Sequence, residues 1–127
     1  MSQTIKPQNV EGWAIEQHVG VFARLLVAGQ NMTVHWTRWE PGASVPLHSH
    51  PHEQVSVCLE GEFIFTVNGE ESVVSTGEFI YIPPDAPHAE RNDGRVHAVL
   101  TDFFSPARSD LHEHRFLAQI LKESGEG

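Results

Sequence analysis

Residues Gln54 to Ile82 read QVSVCLEGEFIFTVNGEESVVSTGEFIYI, and their alternation of short β-rich runs with turn residues decides the fold class. Gln54 to Leu59 and Phe63 to Val67 are rich in Val, Ile, Phe and Thr and are separated by Glu60-Gly61. Asn68-Gly69 follows, a dipeptide suited to the two-residue hairpin turn because both positions there take positive φ. Glu70 to Ser75 then predicts the returning strand, Thr76-Gly77 its turn, and Phe79 to Ile82 a short strand stopped by Pro83-Pro84.

Working outward, Val21 to Ala28 and Met32 to Trp39 predict two more strands around the turn Ala28-Gly29-Gln30-Asn31, and Glu40-Pro41-Gly42-Ala43 breaks the run. Val96 to Phe104 is the last long strand. Strands of this length, with Gly and Pro between them and no intervening helix, predict an antiparallel sandwich or barrel. Only the tail reads as helical: Ser109 can cap a segment over about 109–123 in which Leu117, Ile120 and Leu121 recur at helical spacing. The opening segment, to about Gln17, carries Trp13 and Ile15 without a clear period and predicts an arm that docks on the barrel or on a second subunit. With 127 residues the chain is expected to form a single domain, its barrel core over about 20–105.

Eight Lys and Arg against seventeen Asp and Glu give a formal charge of −9, which repels a phosphate backbone, so nucleic acid is not an expected partner. The lone Cys58 lies in an apolar run and reads as a buried thiol. Met1 to Val10 lacks the apolar core of a signal peptide and no stretch has the length of a membrane span, so a cytoplasmic protein without a membrane partner is expected.

The nine histidines are informative through their positions. In His48-Ser49-His50-Pro51-His52-Glu53-Gln54, alternate residues of an extended chain share a face, so His48 and His50 point the same way and Gln54 returns to that side beyond Pro51. His88, directed by the prolines of Pro83-Pro84-Asp85-Ala86-Pro87, can close the set from another part of a barrel. Three imidazoles suit divalent Zn, Ni, Fe or Mn without choosing among them. The direction of His52 depends on how Pro51 bends the chain, and His18, His35, His97, His112 and His114 read as surface or packing residues. On the strand Val96 to Phe104, Ala98, Leu100, Asp102 and Phe104 share the inward face. A carboxylate aimed into a barrel beside a metal is an acid/base candidate, although Asp102 can equally pair with Arg108 and Phe104 can be core.

Two stretches resemble the signature motifs of the cupin superfamily. Gly42, His48, His50, Gln54 and Gly61 match the first, with Gln54 where Glu is usual; Gly77, Pro83, His88 and Asn92 match the second, with Asp85 where Gly is usual. The resemblance implies an all-β double-stranded β-helix, the cupin jelly-roll barrel, with a divalent metal on His48, His50, Gln54 and His88. Asp tolerates the left-handed conformation that Gly supplies there. The neutral Gln54 leaves the metal's charge uncompensated by its ligands and predicts an acidic substrate.

Asp102 to Arg108, reading DFFSPAR, together with His48 to Gln54 is similar to the KdgF family, single cupin domains that convert 4,5-unsaturated monouronates from pectin or alginate breakdown into linear ketonized sugars. That resemblance implies acid/base chemistry at Asp102, binding of the substrate carboxylate by Arg108, an apolar wall at Phe104, and no organic cofactor. Two other readings fit the same residues: a dioxygenase or isomerase acting on a different small acid, and a non-catalytic cupin that captures a small ligand. A homodimer is expected, with Trp13, Ile15 and Val21 to Ala28 supplying the interface.

Overall fold

The computed structural model describes residues 3–112, which form ten strands after a single 3-10 turn at Pro7–Asn9. In chain order they are β1 (Gly12–Ala14), β2 (Val21–Ala28), β3 (Thr33–Trp39), β4 (Ser44–His48), β5 (Glu53–Glu60), β6 (Glu62–Val67), β7 (Glu70–Ser75), β8 (Phe79–Ile82), β9 (His88–Arg91) and β10 (Ala98–Ser105). They build two antiparallel sheets, β1-β2-β3-β10-β5-β8 and β4-β9-β6-β7, in the jelly-roll arrangement expected from the sequence.

The predicted strands are present, with ends displaced by one or two residues. Asn68 and Gly69 take φ of 50° and 82° and make a two-residue turn between the paired Val67 and Glu70. Asp85 takes φ of 64° where the family pattern has Gly. Three strands lacked a sequence signal. β4 contains Pro46 and carries few buried residues, which is tolerated because it is an edge strand paired only with β9. β9, sequence HAER, has no β-forming run and owes its conformation to pairing with β4 and β6 on both sides. β1 is the arm docked on the barrel: Gly12 pairs with Arg24, and a Cβ at Gly12 would stand 2.6 Å from the Ala23 carbonyl and the Phe22 ring. A helix begins over 109–112; Leu117, Ile120 and Leu121 lie outside the described residues.

Side-chain alternation on β10 and β5 divides the interior. Along β10 the inward positions run Ala98, Leu100, Asp102 and Phe104; on the antiparallel β5 beside it Cys58 stands opposite Leu100, Ser56 opposite Asp102 and Gln54 opposite Phe104. The Ala98 end joins Trp39, Phe63, Phe65, Val74 and Ile82 in the apolar core, with Trp39 and Phe63 edge to face at 5.4 Å. Cys58 is free and buried there, and burial pushes its thiol pKa up. The other end of the same strands carries buried polar groups, and these form the candidate site.

Candidate metal centre

His48 ends β4 and faces His88, the first residue of β9, across the β4/β9 ladder; their ring centroids are 4.2 Å apart. His50 follows two residues after His48, with its ring 4.9 Å from that of His88. One ring nitrogen from each of the three lies within 4.8 Å of the others, and His52 stands outside that cluster.

Backbone carbonyls fix the tautomers. Nδ1–H of His48 donates to Pro46 O at 2.8 Å, that of His50 to His52 O at 3.0 Å, and that of His88 to Ala86 O at 2.8 Å. Since a carbonyl only accepts, each Nδ1 carries the proton and each Nε2 presents a lone pair. Burial lowers the pKa of His88 to about 4, opposed by the Ala86 carbonyl and reinforced by the neighbouring His48 and His50. His50 is lowered first by burial and then by the positive charge of Arg108. Both rings are thus held neutral, the state in which imidazole binds a metal.

Gln54, 2 % exposed on β5, is oriented by its amide nitrogen, which donates to Ser56 Oγ at 2.9 Å and to Asp102 Oδ1 at 3.2 Å. Its carbonyl oxygen is thereby turned to within 3.1 Å of His50 Nε2. Two acceptor atoms facing each other at that distance are what adjacent ligands on one cation look like, since metal bonds of about 2.1 Å at right angles separate ligand atoms by roughly 3 Å. His88 Nε2 is fully buried without a partner. These features fit a divalent ion held by His48, His50, His88 and Gln54.

Asp102 receives Ser56 Oγ–H at 2.5 Å as well as the Gln54 amide, and its Oδ2 lies 3.8 Å from His35 Nδ1. Pairing of Asp102 with Arg108 therefore gives way to a different arrangement. The Arg108 guanidinium binds Asp110, Nη2 to Oδ2 at 2.7 Å and Nε to Oδ1 at 3.3 Å, and lies 4.9 Å above the Phe104 ring. Phe104 is buried and packs its ring edge to face against His50 at 5.5 Å.

A cavity of about 400 Å³ opens beside the cluster, walled by Asp102, Phe104, Arg108, Trp13, His35 and Glu90 among others. Sequence reasoning did not assign the last three to the site. Trp13 and Ile15, expected at a subunit interface, turn inward, Trp13 against His35 at 6.2 Å and Ile15 against the core. His35 is buried beside Asp102, and Glu90 is buried two residues after His88. Their signal was parity alone: His35 shares its strand face with Thr37 and Trp39, and Glu90 shares one with His88. Two buried acidic side chains, Asp102 and Glu90, stand around these ligands. Burial, and then the nearby Asp102, push the Glu90 pKa well up.

Comparison with known proteins gives one consistent fold. The Cupin_2 cupin domain matches residues 35–104, more than half of the chain. An RmlC-like cupin from Shewanella frigidimarina superposes with a TM-score of 0.77 at 29 % identity, covering 87 % of this chain and 96 % of that one. KdgF from a Halomonas species gives 0.79 at 20 % identity over 87 % of this chain and 99 % of its own. A predicted oxalate decarboxylase from Thermotoga maritima gives 0.76 at 18 % identity, with 82 % and 99 % covered. At these identities the last two speak for the fold alone. An uncharacterized protein of Methanocaldococcus jannaschii is 39 % identical over 56 residues, 43 % of this chain and 45 % of the relative, so the match spans less than half of that relative's length.

Proposed function

The chain belongs to the Cupin_2 family of cupin domains, and we propose that it is a metal-dependent enzyme opening the ring of 4,5-unsaturated monouronates to linear ketonized sugars. The observation that carries this reading is the Gln54 amide. Its nitrogen donates to Asp102 and its oxygen faces His50, so one member of the ligand set is hydrogen-bonded to the acid/base candidate.

His48, His50, His88 and Gln54 would hold the ion, which when bound supplies Lewis-acid polarisation to oxygens of the sugar. The protein's own groups supply the rest. Arg108, braced by Asp110 and stacked on Phe104, keeps further N–H groups for the substrate carboxylate. Phe104 and Trp13 give the ring an apolar wall. Asp102 takes the proton of the anomeric hydroxyl as the bond between that carbon and the ring oxygen breaks. A proton is then returned to the alkene carbon as the enol becomes a ketone, so the reaction is an isomerisation with no net redox change.

The test is the ultraviolet absorbance of an unsaturated uronate, which should decay with wild-type protein and persist with Asp102→Ala. Equal rates for the two would remove Asp102 from the mechanism.

We also infer a homodimer in a reducing, cytoplasmic setting, the latter from the unpaired buried Cys58. Its interface, in this reading, lies on the outer face of the larger sheet, where Phe79 and Tyr81 are 68 % and 54 % exposed.

A further inference from the structure

We propose that Glu90 is the anionic partner of the metal at this centre, standing in from β9 for the carboxylate that the cupin pattern places at position 54. Glu90 is 7 % exposed, and its Oε2 has no hydrogen-bond partner. Its Oε1 lies 3.9 Å from His88 Nε2, itself buried and unpartnered. His88 has committed its proton to the Ala86 carbonyl through Nδ1, so Nε2 offers only a lone pair.

Two buried polar atoms thus face each other at 3.9 Å. A hydrogen bond cannot join them, since N–H···O bonds run about 2.7–3.2 Å. An ion bound at His88 Nε2 can be reached from Glu90 through one intervening oxygen, since metal–ligand bonds are about 2.0–2.2 Å and O–H···O bonds about 2.5–3.0 Å. Glu90 is outside the mutual cluster of His48, His50 and His88. It therefore acts from the next position outward, accepting a hydrogen bond from water or a substrate hydroxyl on the ion.

Other groups nearby leave this role to Glu90. Asp102 is the other buried carboxylate of the cavity, and its Oδ1 is held by Ser56 and Gln54.

The experiment measures zinc and nickel affinity by competition with a coloured chelator for wild type, Glu90→Gln and Glu90→Met, beside thermal melting with and without metal. Both variants should bind either ion at least tenfold more weakly, in the range of about 10 to 100-fold found for groups that support metal ligands. Their metal-induced rise in Tm should shrink, while the metal-free Tm stays level in Glu90→Gln and stays level or rises in Glu90→Met, which removes the buried polar atom lacking a partner. Wild-type affinity in both variants would overturn the assignment. So would a metal-free Tm that falls in both, since Glu90 would then be a structural residue of the barrel.

Discussion

Replacing Gln54 by Glu would restore the residue most common at this motif position, and the structure predicts that it destabilises the metal-free protein. The Gln54 amide nitrogen is a donor to Asp102 Oδ1 at 3.2 Å and to Ser56 Oγ at 2.9 Å, in surroundings where Gln54 and Asp102 are both buried. A carboxylate has no hydrogen to give. Losing the bond to a charged acceptor costs about 1.5–3 kcal/mol. Two carboxylate charges 3.2 Å apart would repel by about 5 kcal/mol at an effective dielectric of about 20. Uptake of one shared proton limits that repulsion, leaving an expected net loss of about 2–4 kcal/mol.

The shared proton sets the pH dependence. The folded carboxyl pair has its pKa raised above the unfolded value near 4, so the folded state binds more protons and stability falls as pH rises. Urea unfolding of the metal-free Gln54→Glu protein should therefore show a larger deficit at pH 8 than at pH 5. Combining it with Asp102→Asn, which restores a donor, should recover most of the loss. A single variant as stable as wild type at both pH values would refute the orientation assigned to the amide.

Arg108→Lys keeps the charge but loses the planar stack on Phe104 and the two-point contact with Asp110; KM for an unsaturated uronate should rise about tenfold or more with a smaller change in kcat. Phe79→Glu places a charge on the outer sheet face, where Phe79 is 68 % exposed; light scattering should give a dimeric mass for wild type and a monomeric one for the variant, with the fold unchanged by circular dichroism.

Much of the site was legible in the chain. The two-residue periodicity of a strand is local, so His48 with His50 and Asp102 with Phe104 could be assigned to common faces before any pairing was known. β4 and β9 were not legible, because Pro46 and the HAER run carry no strand preference of their own and become extended through their neighbours. His35 was read as a surface or packing residue because nothing near it in sequence marks it. It stands beside Asp102 only through the β3-β10 register.

The sequence by itself determined the antiparallel barrel, through its hairpin turns and alternating runs, and it singled out the three histidines that the fold brings together. Only the tertiary structure decided how those side chains are partnered. The Gln54 amide points its oxygen inward because Ser56 and Asp102 hold its nitrogen, Arg108 turns to Asp110, and Glu90 is buried against His88. The physical reason is that a residue's face follows from local backbone geometry, whereas a hydrogen-bond partner depends on register between strands distant in the chain. Direction, tautomer and charge at the centre all follow from those partners.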